Sequence, residues 1–187
     1  MKRTIIYGAC LAIVLAAPLG AWAEMARGDA SFMKKVATGG KAEVELGKLA
    51  AERGSSDTVK KFGERMATDH GKAGEELAKL AQDKGVQLPT GLDAKHKRLH
   101  DRLAKLSGAD FDREYMREMV RDHDADVKEF QKESKSAKDA DLKSWVGKTL
   151  PVLEEHKKQA HEVYAGVGGK DKTARRDKAP KSEGSNK

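Results

Sequence analysis

The sequence predicts an all-α protein, namely a ferritin-like four-helix bundle whose second and third long helices are joined by a long crossover containing a short extra helix. Three observations lead to this prediction. Apolar residues recur at helical spacing through most of the chain, whereas the alternation typical of strands is absent. Glycines and capping residues divide the pattern into four long segments and one short one. The connection between the second and third long segments, about 24 residues, exceeds the 2–8 residues that a simple bundle loop needs.

Each predicted helix has a start signal, a stop signal or both. The long helices are expected over residues 29–53, 56–84, 110–136 and 139–165, and the short basic helix over residues 94–106. Four residues suited to N-caps precede or open the long segments: Asp29, Ser56, Asp110 and Asp139. The tight connections predict two antiparallel hairpins. A crossover that travels the length of the bundle would make the second and third long helices parallel.

Residues 1–23 resemble a secretory signal peptide, with Lys2 and Arg3 before an apolar stretch and a small-x-small site before Glu24. A membrane anchor is the alternative, but the apolar stretch of about 15 residues is shorter than the ~20 that span a bilayer. We therefore expect cleavage after Ala23 and a periplasmic or otherwise exported mature protein. The single cysteine, Cys10, lies in this segment, so the mature chain would contain no thiol, disulfide or cysteine ligand.

The formal net charge of +7 is concentrated at the chain ends. Residues 166–187 contain seven Lys or Arg against three acidic residues, with no large apolar residue after Val167, which is typical of a disordered tail. The predicted bundle, residues 28–165, is therefore nearly neutral. This charge distribution argues against nucleic-acid binding. It leaves two roles open for the tail: contact with an anionic envelope surface, or mere solubility.

Two similar stretches occur in the second and third long helices. Residues 62–70 read FGERMATDH and residues 115–123 read YMREMVRDH, so an aromatic residue, a methionine and an Asp-His pair recur at matching positions. Helical phase at about 100° per residue places His70 and His123 within the apolar faces of their helices. The two helices therefore present the same kind of face, each with a histidine near its middle.

The first and fourth long helices each add one ionisable residue to an apolar face, Glu43 and His156. Counted from the end of the bundle that holds the first hairpin turn, these two residues, His70 and His123 fall within about 6 Å of helix rise. The sequence therefore predicts that one carboxylate and three imidazoles meet in a single layer.

Two interpretations of this layer remain open. The first is a metal site of Glu43, His70, His123 and His156, supported by the neighbouring carboxylates Asp69 and Asp122. The second is a hydrogen-bonded polar layer that fixes helix register, with the histidines satisfied by Tyr115, Thr149 or water.

Copper, zinc and iron are the candidate ions. Met66 and Met119 lie one turn before His70 and His123, and thioether with imidazole suits copper, although both methionines could simply fill the core. The di-iron pattern of ferritin-like bundles requires Glu-x-x-His on two helices. The corresponding positions before the three histidines are Ala67, Val120 and Leu153. The sequence therefore favours binding over catalysis.

Five motifs together resemble a bacterial exported family, the domain of unknown function DUF4142. They are AEVELGKLA at 42–50, MxxDH at 66–70, FDxxY at 111–115, MxxDH at 119–123 and LPxLxxH at 150–156. The resemblance covers roughly residues 28–164 and implies a ferritin-like four-helix bundle in the cell envelope. It implies neither an activity nor functional residues. The sequence thus leaves two functional hypotheses: a metal- or ligand-binding bundle, and a non-catalytic envelope stress-related or interaction module.

Overall fold

The computed structural model describes residues 25–169, and within them it contains five helices and no strand. The helices are α1 (Arg27–Arg53), α2 (Asp57–Asp83), α3 (Ala94–Leu103), α4 (Gly108–Ser136) and α5 (Ala140–Gly166). The predicted all-α bundle with a short helix in its crossover is confirmed, and the largest difference in helix bounds is the earlier end of α3. The predicted signal peptide and the tail from residue 170 lie outside the described residues. Between residues 25 and 169, no helix combines the length and apolar character needed to span a membrane.

Hydrogen bonds at the two ends of the bundle define its topology. The backbone N–H of Ser56, before α2, donates to Asp112 in the first turns of α4 at 2.8 Å, so α2 and α4 start at the same end. At the opposite end the backbone N–H of Asp139, before α5, donates to Asp29 in α1 at 2.7 Å. The crossover therefore traverses the bundle, α2 runs parallel to α4, and α1 runs parallel to α5, as the length of the connection predicts.

Two of the four N-cap residues predicted from the sequence cap their helices in the structure, and the other two do not. Ser56 and Asp139 accept hydrogen bonds from backbone N–H groups of the helices that follow them. Asp29 lies inside the first turn of α1, where it is buried and binds the start of α5 instead of capping its own helix. Asp110 lies in the first turn of α4 and pairs with Arg113. Both aspartates still place negative charge near a helix N-terminus, which the helix dipole favours.

Glycine brings α1 and α2 into close contact near their shared turn. A Cβ atom on Gly47 would lie 2.6 Å from the carbonyl oxygen of Gly63, and a Cβ atom on Gly63 would lie 2.6 Å from the carbonyl oxygen of Gly47. No side chain fits at either position without separating the helices. The hairpin is therefore tightest at this point.

Two hydrophobic clusters fill the bundle. The cluster nearest the α1–α2 turn contains Phe62, Phe111 and Tyr115. The cluster at the other end contains Phe130 and Trp145. The layer of buried histidines lies between these clusters along the bundle axis.

Candidate metal centre

Three histidines from three helices converge in the centre of the bundle. The ring centroids of His70 (α2), His123 (α4) and His156 (α5) are 5.6, 5.4 and 5.5 Å apart in the pairs 70–123, 70–156 and 123–156. One nitrogen from each ring belongs to a set in which all atoms lie within 4.8 Å of one another. All three residues are buried. We call these residues the histidine triad.

A backbone carbonyl orients His123. Its Nδ1 lies 2.9 Å from the carbonyl oxygen of Met119, one turn earlier on α4. Because a carbonyl only accepts, Nδ1 carries the proton and Nε2 carries a free lone pair. The Nε2 atom is buried and has no hydrogen-bond partner in the structure. His123 is thus held in a tautomer that can bind a metal ion.

A carboxylate from another helix orients His156. The Nε2 of this histidine lies 2.8 Å from Asp69 Oδ2 on α2. Burial raises the pKa of Asp69, but hydrogen bonds from His156 and Arg65 lower it more, so this carboxylate is ionised and accepts the imidazole proton. The proton on Nε2 leaves the Nδ1 lone pair free, and Nδ1 is buried without a partner. Metal-binding histidines commonly have such a carboxylate on the second ring nitrogen.

His70 has no orienting bond of this kind in the described structure. Its Nε2 is buried without a partner, and its Nδ1 lies 4.0 Å from the position that a Cβ atom on Gly40 would occupy. The triad therefore presents three buried nitrogen atoms without partners, one from each histidine. Unsatisfied buried polar atoms are rare and costly in folded proteins. A shared metal ion would satisfy all three.

Burial keeps the triad neutral. Desolvation lowers the pKa of His123 to about 4, and it also lowers the pKa of His156. The pKa of His70 is well below its usual value because of desolvation and the neighbouring His123 and His156. Neutral imidazole is the form that coordinates metal ions, so the three rings are available as ligands at neutral pH.

Glu43 is buried as predicted but is not a member of the close set of ligand atoms. It is 4% exposed, and its Oε2 has no hydrogen-bond partner in the described structure. Desolvation, Asp122 and Asp126 raise the pKa of Glu43 well above its usual value. The structure therefore brings three of the four predicted layer residues together and places the carboxylate beside them.

The predicted supporting residues have different surroundings. Asp69 binds a triad histidine, whereas the side-chain hydrogen bond of Asp122 comes from the adjacent Arg121, at 3.4 Å. Tyr115 is fully buried and its hydroxyl group has no partner in the described structure. Met66 and Met119 are fully buried in the cluster near the α1–α2 turn, as expected of core residues. Met119 acts on the site through its backbone carbonyl.

A cavity of about 960 Å³ lies beside the triad. Residues of α1, α2, α4, α5 and the crossover line it, and they include His70 and Glu43 but neither His123 nor His156. Asp126 also lines it, and desolvation together with Asp122 and Glu129 raises the pKa of Asp126 to about 7. Asp126 was not among the site residues predicted from the sequence. Its spacing of one turn from Asp122 on the same helix was the available signal.

Most of the chain matches a known family model. The model of DUF4142, a domain of unknown function, matches residues 15–163. The chain belongs to the DUF4142 family. A search of curated proteins finds no match.

Solved structures confirm the helical bundle fold. The DUF305 fragment from Deinococcus radiodurans is similar with a TM-score of 0.67 and 13% identity over 76% of this chain and 98% of that one. CopM in the Cu(I)-bound form has a TM-score of 0.63 and 18% identity over 75% of this chain and 98% of that one. CopM in the Cu(II)-bound form gives the same TM-score and identity over 74% and 96%. At these identities the likeness establishes the fold of this DUF4142 chain alone.

Proposed function

We propose that this DUF4142 protein is an exported binding protein for a transition metal ion, held by His70, His123 and His156. One observation carries the proposal: three buried histidines from three helices each bring a ring nitrogen within 4.8 Å of the others, and each has one buried nitrogen without a hydrogen-bond partner among the described residues. The hydrogen bonds that His123 and His156 make to Met119 and Asp69 support it further, because they leave one nitrogen lone pair free on each of these two rings. A purely structural polar layer would be expected to pair these nitrogens with one another or with neighbouring groups.

Copper and zinc suit the donor set better than iron. Three neutral imidazoles with one open position bind zinc in many proteins, and imidazole also suits copper. Ferritin-like di-iron sites use bridging carboxylates, whereas the closest set of ligand atoms in the described chain is the histidine triad. The similar bundle CopM has been solved in Cu(I)- and Cu(II)-bound forms, which makes copper the first ion to test.

Metal content tests the proposal directly. The mature protein is refolded with equimolar copper, zinc and iron, dialysed, and analysed for metal beside the His70→Ala/His123→Ala variant. His100→Ala on α3 is the matched control, because it removes an imidazole outside the triad. We expect close to one metal ion per chain in the wild type and the control, and almost none in the double variant. Equal metal content in all three proteins would contradict the proposal.

Export is the second component of the proposal. Residues 1–23 carry the signal-peptide features described above, and a thiol-free mature chain suits an oxidising compartment. Expression of the full chain in a bacterial host, followed by fractionation and N-terminal sequencing, tests it. We expect a periplasmic product that begins at Glu24. An uncleaved product in the cytoplasm would contradict export.

A non-catalytic envelope interaction module remains the alternative, with the basic tail of residues 166–187 in contact with anionic surfaces. Sedimentation with anionic lipid vesicles separates the two roles. If the tail carries the function, its deletion abolishes sedimentation and leaves metal content unchanged.

A further inference from the structure

Four glycines line the cavity beside the triad. Gly39 and Gly40 on α1, and Gly71 and Gly74 on α2, all line its walls. A Cβ atom would meet nothing within 4 Å at three of these positions, and at Gly40 it would meet only His70 Nδ1 at 4.0 Å. Glycine destabilises helix interiors relative to alanine. These glycines therefore leave open space at a cost to the helices, unlike Gly47 and Gly63, where backbone contact demands glycine.

The cavity walls carry an excess of carboxylates. Seven acidic residues and four lysines line them. The acidic residues are Glu43, Glu45, Glu75, Asp93, Asp122, Asp126 and Glu129. Three of the lysines are already engaged: Lys35 with Glu129 at 2.6 Å, Lys41 with the carbonyl oxygen of Thr90 at 2.6 Å, and Lys48 with Glu45 at 3.0 Å. The cavity therefore favours a cation over an anion.

A buried polar atom without a partner lies at the inner wall. Glu43 Oε2 is buried, belongs to a side chain that is 4% exposed, and has no hydrogen-bond partner in the described structure. His70, which is 9% exposed, lines the same wall and is the one triad member that the cavity reaches. The other two histidines do not line the cavity: His156 is bonded to Asp69 and is 1% exposed, and His123 is fully buried. This cavity therefore reaches the triad at His70.

We propose that this cavity is the access route for the metal cation, with Asp126 and Glu43 binding the ion in passing and His70 receiving it first. The proposal rests on the proposed metal site and adds the path and the order of ligands. Carboxylate oxygens can replace part of the hydration shell of the ion before imidazole nitrogens replace the rest. Loading is then controlled by residues that do not belong to the final site.

A size series at Gly40 tests the path. Gly40→Ala adds one methyl group and Gly40→Leu fills the space in front of His70, while Gly28→Leu, on an exposed position of the same helix, is the matched control. Stopped-flow absorbance follows the loading of Co(II) and Cu(II). We expect Gly40→Leu to slow loading more strongly than Gly40→Ala and the control to match the wild type. Equilibrium dialysis should still give one ion per chain for every variant.

The removal of two cavity carboxylates provides the second, independent test. Asp126→Asn combined with Glu129→Gln removes two cavity carboxylates, and Glu76→Gln removes an exposed carboxylate of α2 that does not line the cavity. At low ionic strength and at a pH above 7, where Asp126 is ionised, we expect the double variant to load about tenfold more slowly, because the local negative potential concentrates cations. The control should load at the wild-type rate, and added salt should reduce the difference.

The outcomes separate this inference from the proposed function. Stoichiometric binding with equal loading rates in all variants would overturn the access route and leave the metal site intact. An absence of binding in the wild-type protein would overturn both. Slower loading in Gly28→Leu or Glu76→Gln, to the same extent as in the cavity variants, would also overturn the route, because the effect would not depend on the cavity.

Discussion

The stretches 62–70 and 115–123 are two copies of one motif with different roles in the structure. Both place an aromatic residue, a methionine and a histidine on the inner face of a helix, and Phe62, Tyr115, Met66 and Met119 are all fully buried. The aromatic rings even contact each other, with centroids 6.2 Å apart in a T-shaped arrangement. The inward-facing side chains of the two copies are therefore alike in their direction, their depth along the bundle and their burial.

The copies differ in their hydrogen bonds. In the α2 copy, Asp69 reaches across to α5 and orients His156, while His70 has no orienting bond of its own in the described structure. In the α4 copy, His123 binds the carbonyl of Met119, and Asp122 contacts Arg121 and lines the cavity. The two aspartates therefore have different partners, and the two histidines, although both belong to the triad, differ in their hydrogen bonds. The neighbouring helix decides which task each residue performs.

The largest difference between the copies is expected for metal affinity. Asp69→Asn weakens the orientation of His156 and is expected to lower affinity about 10- to 100-fold, as loss of an outer hydrogen-bond partner does in other metal sites. Asp122→Asn is expected to leave equilibrium affinity nearly unchanged, since Asp122 binds no triad histidine among the described residues. Competition titration with a chelating indicator measures both. Equal losses for the two variants would remove the distinction between the copies.

His123 and Asp126, both on α4, are expected to affect the pH dependence of stability in opposite directions. Burial lowers the pKa of His123 from its usual 6.5 to about 4 in the folded protein, so the unfolded chain binds protons more readily. The free energy of unfolding therefore decreases as pH falls from 7.5 to 5, by about 2 kcal/mol from this residue alone. Urea unfolding of the metal-free protein at both pH values should show this loss, and His123→Asn should reduce it.

Asp126 has the opposite effect on the pH dependence of the free energy of unfolding. The pKa of Asp126 is raised to about 7 in the folded protein. The contribution of this residue to stability therefore decreases as the pH rises to about 7. Asp126→Asn should therefore steepen the gain in stability between pH 5 and pH 7.5. A flatter profile in Asp126→Asn than in the wild type would contradict the assignment.

Exchanging the residue types at Phe62 and Tyr115 tests whether the two copies tolerate the same aromatic side chain. The Tyr115 hydroxyl is buried without a partner in the described structure, so Tyr115→Phe is expected to stabilise the protein by about 1 kcal/mol. Phe62→Tyr introduces a hydroxyl group at a fully buried position of the other copy and is expected to destabilise it by a similar amount. Thermal unfolding of both variants measures the two effects. Destabilisation by Tyr115→Phe would show that the hydroxyl group has a partner.

The smallest effects are expected for the methionines. Met66→Leu and Met119→Leu conserve volume in a packed core, so each is expected to change the free energy of unfolding by less than about 1.5 kcal/mol. Affinity for Cu(I) should stay the same, because the structure places both side chains in the apolar cluster. A weaker Cu(I) affinity in either variant would identify a thioether ligand and distinguish that copy from the other.

The sequence allowed much of the architecture to be predicted, because the signals are local. Helical periodicity, the caps at Ser56 and Asp139, and the length of the crossover led to the bundle and its parallel α2 and α4. The inward direction of His70, His123 and His156 followed from helical phase, and all three are buried. Glu43 was also placed inside correctly, but phase alone could not show that its carboxylate lies outside the close set of ligand atoms.

Sequence by itself determined which residues face inward and at what depth, because rise and rotation per residue are constant along a helix. Tertiary structure alone decided which helix meets which, and with it the pairing of Asp69 with His156 and the separate role of Asp122. It also decided that Gly40 leaves open space beside His70, whereas Gly47 lies in close contact with the backbone of α2. The reason is physical: hydrogen bonds between helices and the space between them depend on interaxial distance and rotation, which arise from the packing of all side chains together.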